Sequence, residues 1–196
     1  MCGRGCNELR IIAGERKGLH LKSLKGLDTR PTSDMVKESL FNRIGPYFDG
    51  GIVVELFGGS GALSLEALSR GADEAFVFEK NRKACDVIRS NAEKCHYDEV
   101  VHILQVDAQQ ALKVMQKHAK KIDLLFLDPP YAEAKFYNLA QKFVDDGCLT
   151  DRAVIVCEHD KKTELPEAYG LFQKSNCTSY GNVAISIYEK WGFTNV

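Results

Sequence analysis

No apolar stretch in this chain of 196 residues approaches the ~20 residues of a membrane span, and its amino-terminal segment has no apolar signal-peptide core. A cytoplasmic protein is therefore expected. The seven cysteines (Cys2, Cys6, Cys85, Cys95, Cys148, Cys157, Cys177) include no C-x-x-C pair, which argues against a disulfide framework or a zinc site. The histidines (His20, His96, His102, His118, His159) show no ligand spacing, so no metal is expected. An excess of one charge is also missing: a net charge of −1 by itself argues for no polyanionic partner. No Walker loop is present, and a G-x-G-x-x-G fingerprint aligned on Gly59 and Gly61 fails at Ser64. Phosphate-cradling and dinucleotide sites are disfavoured accordingly.

What is present fits one globular domain with a sizeable core and a small appendage: 44% apolar and 27% charged residues, with no repeats or low-complexity tract. Charge is unevenly placed. Residues 1–30 hold Arg4, Arg10, Arg16, Lys17, Lys22, Lys25 and Arg30 against Glu8, Glu15 and Asp28, a net of +4 that leaves −5 for residues 31–196. A basic end on an acidic body suits phosphate contact, and it equally suits a solvated charged face.

Residues 1–7 lack periodicity and are expected to fray. Residues 9–13 and 19–21 predict a hairpin with a basic tip at 14–18, and a loop follows over 22–31. Thr32 or Ser33 caps a predicted helix to residue 44, with Val36, Leu40, Phe41 and Ile44 on its apolar face. The pattern then alternates. Strands are predicted at 52–57, 75–79, 100–106, 122–127 and 153–158, and helices at 61–70, 82–94, 108–118 and 136–145. Continuous apolar strands between helices indicate a parallel sheet covered on both faces. Residues 172–178 and 183–190 flank Ser179-Tyr180-Gly181-Asn182 and predict an antiparallel hairpin closing that sheet.

The strand at 122–127 stops in Asp128-Pro129-Pro130-Tyr131. The first proline removes a ladder donor, and the second biases Pro129 towards an extended conformation. The result is a stiff loop at the carboxyl end of a strand, where open α/β sheets bind ligands. It offers a carboxylate, backbone carbonyls outside any ladder and a planar ring, the parts needed to grip a flat molecule with an exocyclic amino group. Upstream, Glu55-Leu56-Phe57-Gly58-Gly59-Ser60-Gly61 forms a strand-to-helix turn, and Glu79 and Asp107 close the next two strands. A carboxylate placed like Glu79 suits ribose hydroxyls. An edge carrying Glu55, Glu79 and Asp107 suits a sulfonium and an ammonium better than a pyrophosphate, and so favours S-adenosylmethionine.

This ordered set resembles the class I methyltransferases that modify amino groups. Arg10-Ile11-Ile12-Ala13-Gly14, Arg30-Pro31-Thr32-Ser33-Asp34, Glu38-Ser39-Leu40-Phe41-Asn42, 56–63, 66–72 and Leu127-Asp128-Pro129-Pro130-Tyr131 are similar, more narrowly, to the RsmD family. That family consists of bacterial methyltransferases acting on a guanine N2 in small-subunit ribosomal RNA. The resemblance spans roughly residues 9–190, and the Arg-Pro-Thr segment is its most discriminating part.

It implies an α/β fold of Rossmann-like type: a mostly parallel seven-stranded sheet, helices on both faces, an antiparallel carboxyl-terminal hairpin and a small amino-terminal extension. The domains implied are a basic extension over 1–31 and a methyltransferase domain over 32–196. Cofactor contacts are implied for Glu55, Phe57, Gly58, Gly59, Gly61, Glu79, Lys80, Asp107, Ala108 and Asp128. The base would be received by Asp128, Pro129, Pro130 and Tyr131, and the RNA by Arg10, Arg16, Lys17, Arg30 and Thr32. Glu55 and Gly58 stand where Asp and Ala are common in the family. The partner implied is ribosomal RNA, the small subunit or its assembly intermediate, met by a monomer.

Other readings stay open on sequence alone. A DNA adenine-N6 methyltransferase shares the tetrapeptide but usually needs a recognition insertion for which the motifs leave no room. A protein glutamine methyltransferase typically shows Asn before Pro-Pro. A non-catalytic RNA-binding module that keeps the fold is the rival from another class. Asp107 also serves as a helix cap, and Tyr180 is expected to fill the hairpin turn.

Overall fold

Five apolar runs become the parallel core of one sheet: β1 (Ile52–Leu56), β2 (Glu74–Phe78), β3 (Val101–Leu104), β4 (Ile122–Leu127) and β5 (Leu149–Asp160). The computed structural model describes residues 9–24, 34–130 and 133–192. The expected frayed end, Arg30, Thr32 and Tyr131 lie outside the described residues. The chain continues through β6 (Ala168–Tyr169), β7 (Phe172–Tyr180) and β8 (Val183–Lys190), giving the order β3-β2-β1-β4-β5-β8-β7-β6. Among the described residues the sheet thus has eight strands rather than seven. The added member, β6, is a two-residue edge strand paired with Phe172 and Gln173, too short to show alternation in sequence.

Alternation along each strand sorts side chains to two faces. Val53, Val77, Leu124, Phe126, Val156 and Ile185 join a core beneath α1 (Asp34–Ile44), α2 (Ala62–Ser69) and α3 (Arg82–Cys95). Val54, Leu56, Phe78, Leu125, Leu127 and Cys157 join another, packed on α4 (Ala111–His118) and α5 (Asn138–Asp145). The predicted helices over 108–118 and 136–145 each begin with a 3-10 turn, Ala108–Gln110 and Ala134–Tyr137. Among the described residues no helix is long and apolar enough to cross a membrane.

The amino-terminal residues lie on the first face. Ile11 N–H donates to Leu19 O (2.9 Å) and Leu21 N–H to Leu9 O (2.7 Å), with a bridge between Arg10 and His20. Leu9, Ile11 and Leu21 are buried in the first core, each contributing roughly 1.5–3 kcal/mol. Gly14 sits at φ +84°, so close to α2 that a Cβ there would lie 1.7 Å from Ser69 O. Beneath this segment Glu66 is fully buried. Its carboxylate accepts Ile12 N–H (2.8 Å) and Ala13 N–H (3.0 Å) and pairs with Lys37 Nζ (3.2 Å) and Arg70 Nε (2.8 Å).

Candidate active site

Strand order reverses at β1: its neighbours are β2 on one side and β4 on the other, so the helices that follow β1 and β4 pack on opposite faces. Such a switch point leaves a crevice at the carboxyl ends of the strands. Glu55 lies in β1 just before this rim, and Phe57 to Gly61 form the turn into α2. Phe57 adopts φ +69°, a strained conformation for a bulky residue of the kind concentrated at functional sites. Its ring packs edge-on against Phe136, centroids 5.0 Å apart. Gly59 at φ +53° lets the turn present N–H groups, and an added Cβ there would meet open space.

Glu79 follows β2 at the same rim. Its carboxylate accepts Gly59 N–H (3.0 Å) and Asn81 N–H (2.7 Å), which ties the glycine turn to the next strand and fixes the carboxylate's orientation. Two accepted bonds leave lone pairs for ribose hydroxyls. Lys80 is exposed beside it. Asp107 Oδ1 accepts Gln109 N–H (2.9 Å) and caps the 3-10 turn that opens at the buried Ala108, so its other oxygen is left for a ligand. The donor set therefore suits a cationic nucleoside without phosphate.

Asp128 ends β4 on the first face, in line with Leu124 and Phe126. Burial, then the charges of Glu158 and Glu55, push its carboxyl well above the usual carboxylate range. Pro129 is buried and Pro130 exposed. The carbonyl of Pro130 accepts Glu133 N–H (2.9 Å), so of the two proline carbonyls expected to lie outside a ladder, this one closes a turn.

Burial also pushes Glu55 up to about 7 from an ordinary 4.5, against the N–H and hydroxyl of Ser64, both of which donate to it. A raised acid is favoured neutral in the folded chain. The stability this group contributes is full below 4.5 and lost as pH rises through 7. Glu55→Gln, whose amide oxygen can accept the same bonds, should remove about 3 kcal/mol of the decline between pH 5 and pH 8 in urea unfolding. Equal slopes for the two proteins would contradict this.

The basic residues divide. Arg10 pairs with Asp34 at the start of α1 (2.7 Å). Lys22 lies near the crevice, linked through Asn91 to Ser60 O. Arg16 and Lys17, expected among the residues that hold surrounding phosphates, lie at the amino-end rim of the sheet, where the hairpin tip docks. Arg16 donates from its backbone N–H to Ser69 Oγ (3.0 Å) and from Nε to Cys95 O (2.7 Å), and covers the Tyr97 ring. A cleft of about 930 Å³ opens there among Arg16, Ser69, Asp73, His96 and Tyr97, away from the glycine turn and Asp128. Tyr180, expected only to fill its turn, reaches α1, its hydroxyl 2.6 Å from Ser39 Oγ. Glu158, the neighbour of Asp128 across β4 and β5, drew no attention in sequence because it ends an apolar run and its facing depends on register.

These strand ends and this topology define a class I methyltransferase fold. A structure described as "Putative methyltransferase yhhF from Escherichia coli" is similar, with a TM-score of 0.79 and 29% identity over 93% of this chain and 98% of that one. The chain belongs to the family described as Conserved hypothetical protein 95, which matches residues 9–189. Among its relatives, "Putative rRNA methyltransferase YlbH" of Bacillus subtilis (strain 168) is 40% identical over 94% of this chain and 100% of its own. "Ribosomal RNA small subunit methyltransferase D" of Haemophilus influenzae is 33% identical over 93% and 94% respectively.

Proposed function

We propose that this protein transfers a methyl group from S-adenosylmethionine to the exocyclic N2 of a guanine in small-subunit ribosomal RNA, acting as a monomer on the subunit or its assembly intermediate. The relatives' names support RNA as the substrate. The observation that carries the reading is Asp128, held by the double-proline turn on the crevice face beside the glycine turn and Glu79.

Glu79 and the turn at Gly58, Gly59 and Gly61 would hold the nucleoside and methionine parts of the cofactor, with Asp107 and Ala108 at the adenine. When bound, that group supplies an electrophilic methyl carbon. An arylamine is a weak nucleophile because its lone pair is delocalised into the ring. Asp128 and the Pro129 carbonyl accept the two N–H bonds of the amine and favour a pyramidal nitrogen aimed at the methyl. Tyr131 would stack on the base. Asp128 or water would take the extra proton that the amine sheds once it carries the methyl. Positioning and electrostatics carry the acceleration. The base must leave its stack to enter, and Arg10 with Arg30 and Thr32 would steady the flanking backbone.

The test is transfer of labelled methyl to small ribosomal subunits that lack their own modification, followed by nucleoside analysis. N2-methylguanosine is expected. Label in DNA or protein and none in RNA would overturn the assignment.

A further inference from the structure

Glu158 is buried at the carboxyl end of β5, 7% exposed. Leu127 and Cys157 are paired in the parallel ladder, so Asp128 and Glu158 are the next residues on adjoining strands, about 4.8 Å apart in the hydrogen-bonding direction. Register also fixes their facing. Asp128 follows Leu124 and Phe126, and Glu158 follows Val156, all on the first face, where Ile185 lies opposite Glu158 on β8. The main chain at Glu158 is held from the other side, where Tyr137 donates its hydroxyl to Glu158 O (2.7 Å). The electrostatic influence of Glu158 on Asp128 agrees with side chains that converge. Register therefore brings two carboxyl groups side by side at the carboxyl-end rim of the sheet.

We infer that Glu158 is a specificity-determining residue: it accepts the N1–H of the target guanine while Asp128 holds the adjacent N2 amine. This rests on the functional reading above. Guanine presents two neighbouring donors on this edge, N1–H and the N2 amine. Adenine and cytosine present their amine beside a ring nitrogen lone pair, which a carboxylate repels. A pair of acceptors thus selects guanine among amine-bearing bases, where a single Asp-Pro-Pro-Tyr corner would not.

The test uses small ribosomal subunits reconstituted with guanine or 2-aminopurine at the acceptor position. 2-Aminopurine keeps the N2 amine but has a lone pair at N1. The wild-type protein should favour guanine in kcat/KM by on the order of 10²-fold. Glu158→Gln, whose amide can donate to that lone pair, should bring the ratio to within a few-fold of unity with cofactor affinity unchanged. Glu158→Asp, which keeps the charge, should retain the preference at a lower rate. A merely structural Glu158 would lower both rates by one factor, and that outcome, or an unchanged ratio, overturns the inference. So does a wild type that treats the two bases alike, a result independent of whether any variant folds. Transfer by the wild type to neither base would instead overturn the functional reading and this one with it.

Discussion

Asp128→Ala is expected to lower methyl transfer to small ribosomal subunits by on the order of 10³-fold or more, as losses of a positioned transition-state partner do. The reason lies in what the carboxylate faces. The amine becomes acidic and acquires positive charge as the methyl arrives, so an acceptor in line with an N–H gains strength towards the transition state. Alanine removes that acceptor and leaves the double-proline turn in place. Folding should survive. Burial and the neighbouring charges of Glu158 and Glu55 already oppose ionisation of Asp128. Removing a carboxyl whose ionised form is disfavoured takes away a term that weakens the folded chain as pH rises. Urea unfolding at pH 8 should therefore show the variant no less stable than the wild type. Turnover within ten-fold of wild type would exclude the role given to Asp128.

Glu66→Ala should show the largest effect on stability, a loss of about 3–5 kcal/mol in urea unfolding, because it strands buried charge. Lys37 and Arg70 are buried against this carboxylate, and Lys37 also donates to Arg10 O. Burial pulls the Lys37 ammonium below its ordinary range, and Glu66 opposes that pull, so removing Glu66 leaves the lysine with desolvation alone. The two N–H groups of Ile12 and Ala13 lose their acceptor as well. Hydrogen exchange at those two amides is a local readout. It should accelerate to rates approaching those of exposed backbone, and unchanged protection there would contradict the clamp.

Much of the fold was legible because it depends on local pattern. The runs at β1, β2 and β4 are mostly apolar, and the helix predicted over 82–94 follows from the alternation with them; Asn81, whose side chain accepts Lys83 N–H (2.9 Å), proves to cap it. The acidic edge was legible for the same reason: a glycine turn and carboxylates at successive strand ends are features of spacing. Contacts set by register or by docking were not. Glu158 faces Asp128 only because Leu127 pairs with Cys157, and a shift of one residue would turn it to the other face. The hairpin over 9–21 was evident, but its destination was not, since it is fixed by backbone donors to Glu66 and Ser69 that any side chains could accompany. Hence the rim at which Arg16 lies was not legible from the sequence. Tyr180 meets Ser39 across 141 positions of sequence, a proximity that periodicity does not encode.

The cluster around Glu66 also has a bearing on how the sequence can drift. One carboxylate answers four donors from three separate stretches of chain, so removing Glu66 strands two buried cations at once, and any order that removes a cation first still passes through a lone buried charge. Exchanging all three charged side chains together for apolar ones of matching volume would carry no such penalty. Natural substitution, which proceeds one codon at a time, must cross the unstable intermediates to reach that state. The cluster is therefore a historical ratchet: once assembled it persists, whatever its net worth to the fold, and it keeps the amino-terminal strand pair and α2 evolving in step.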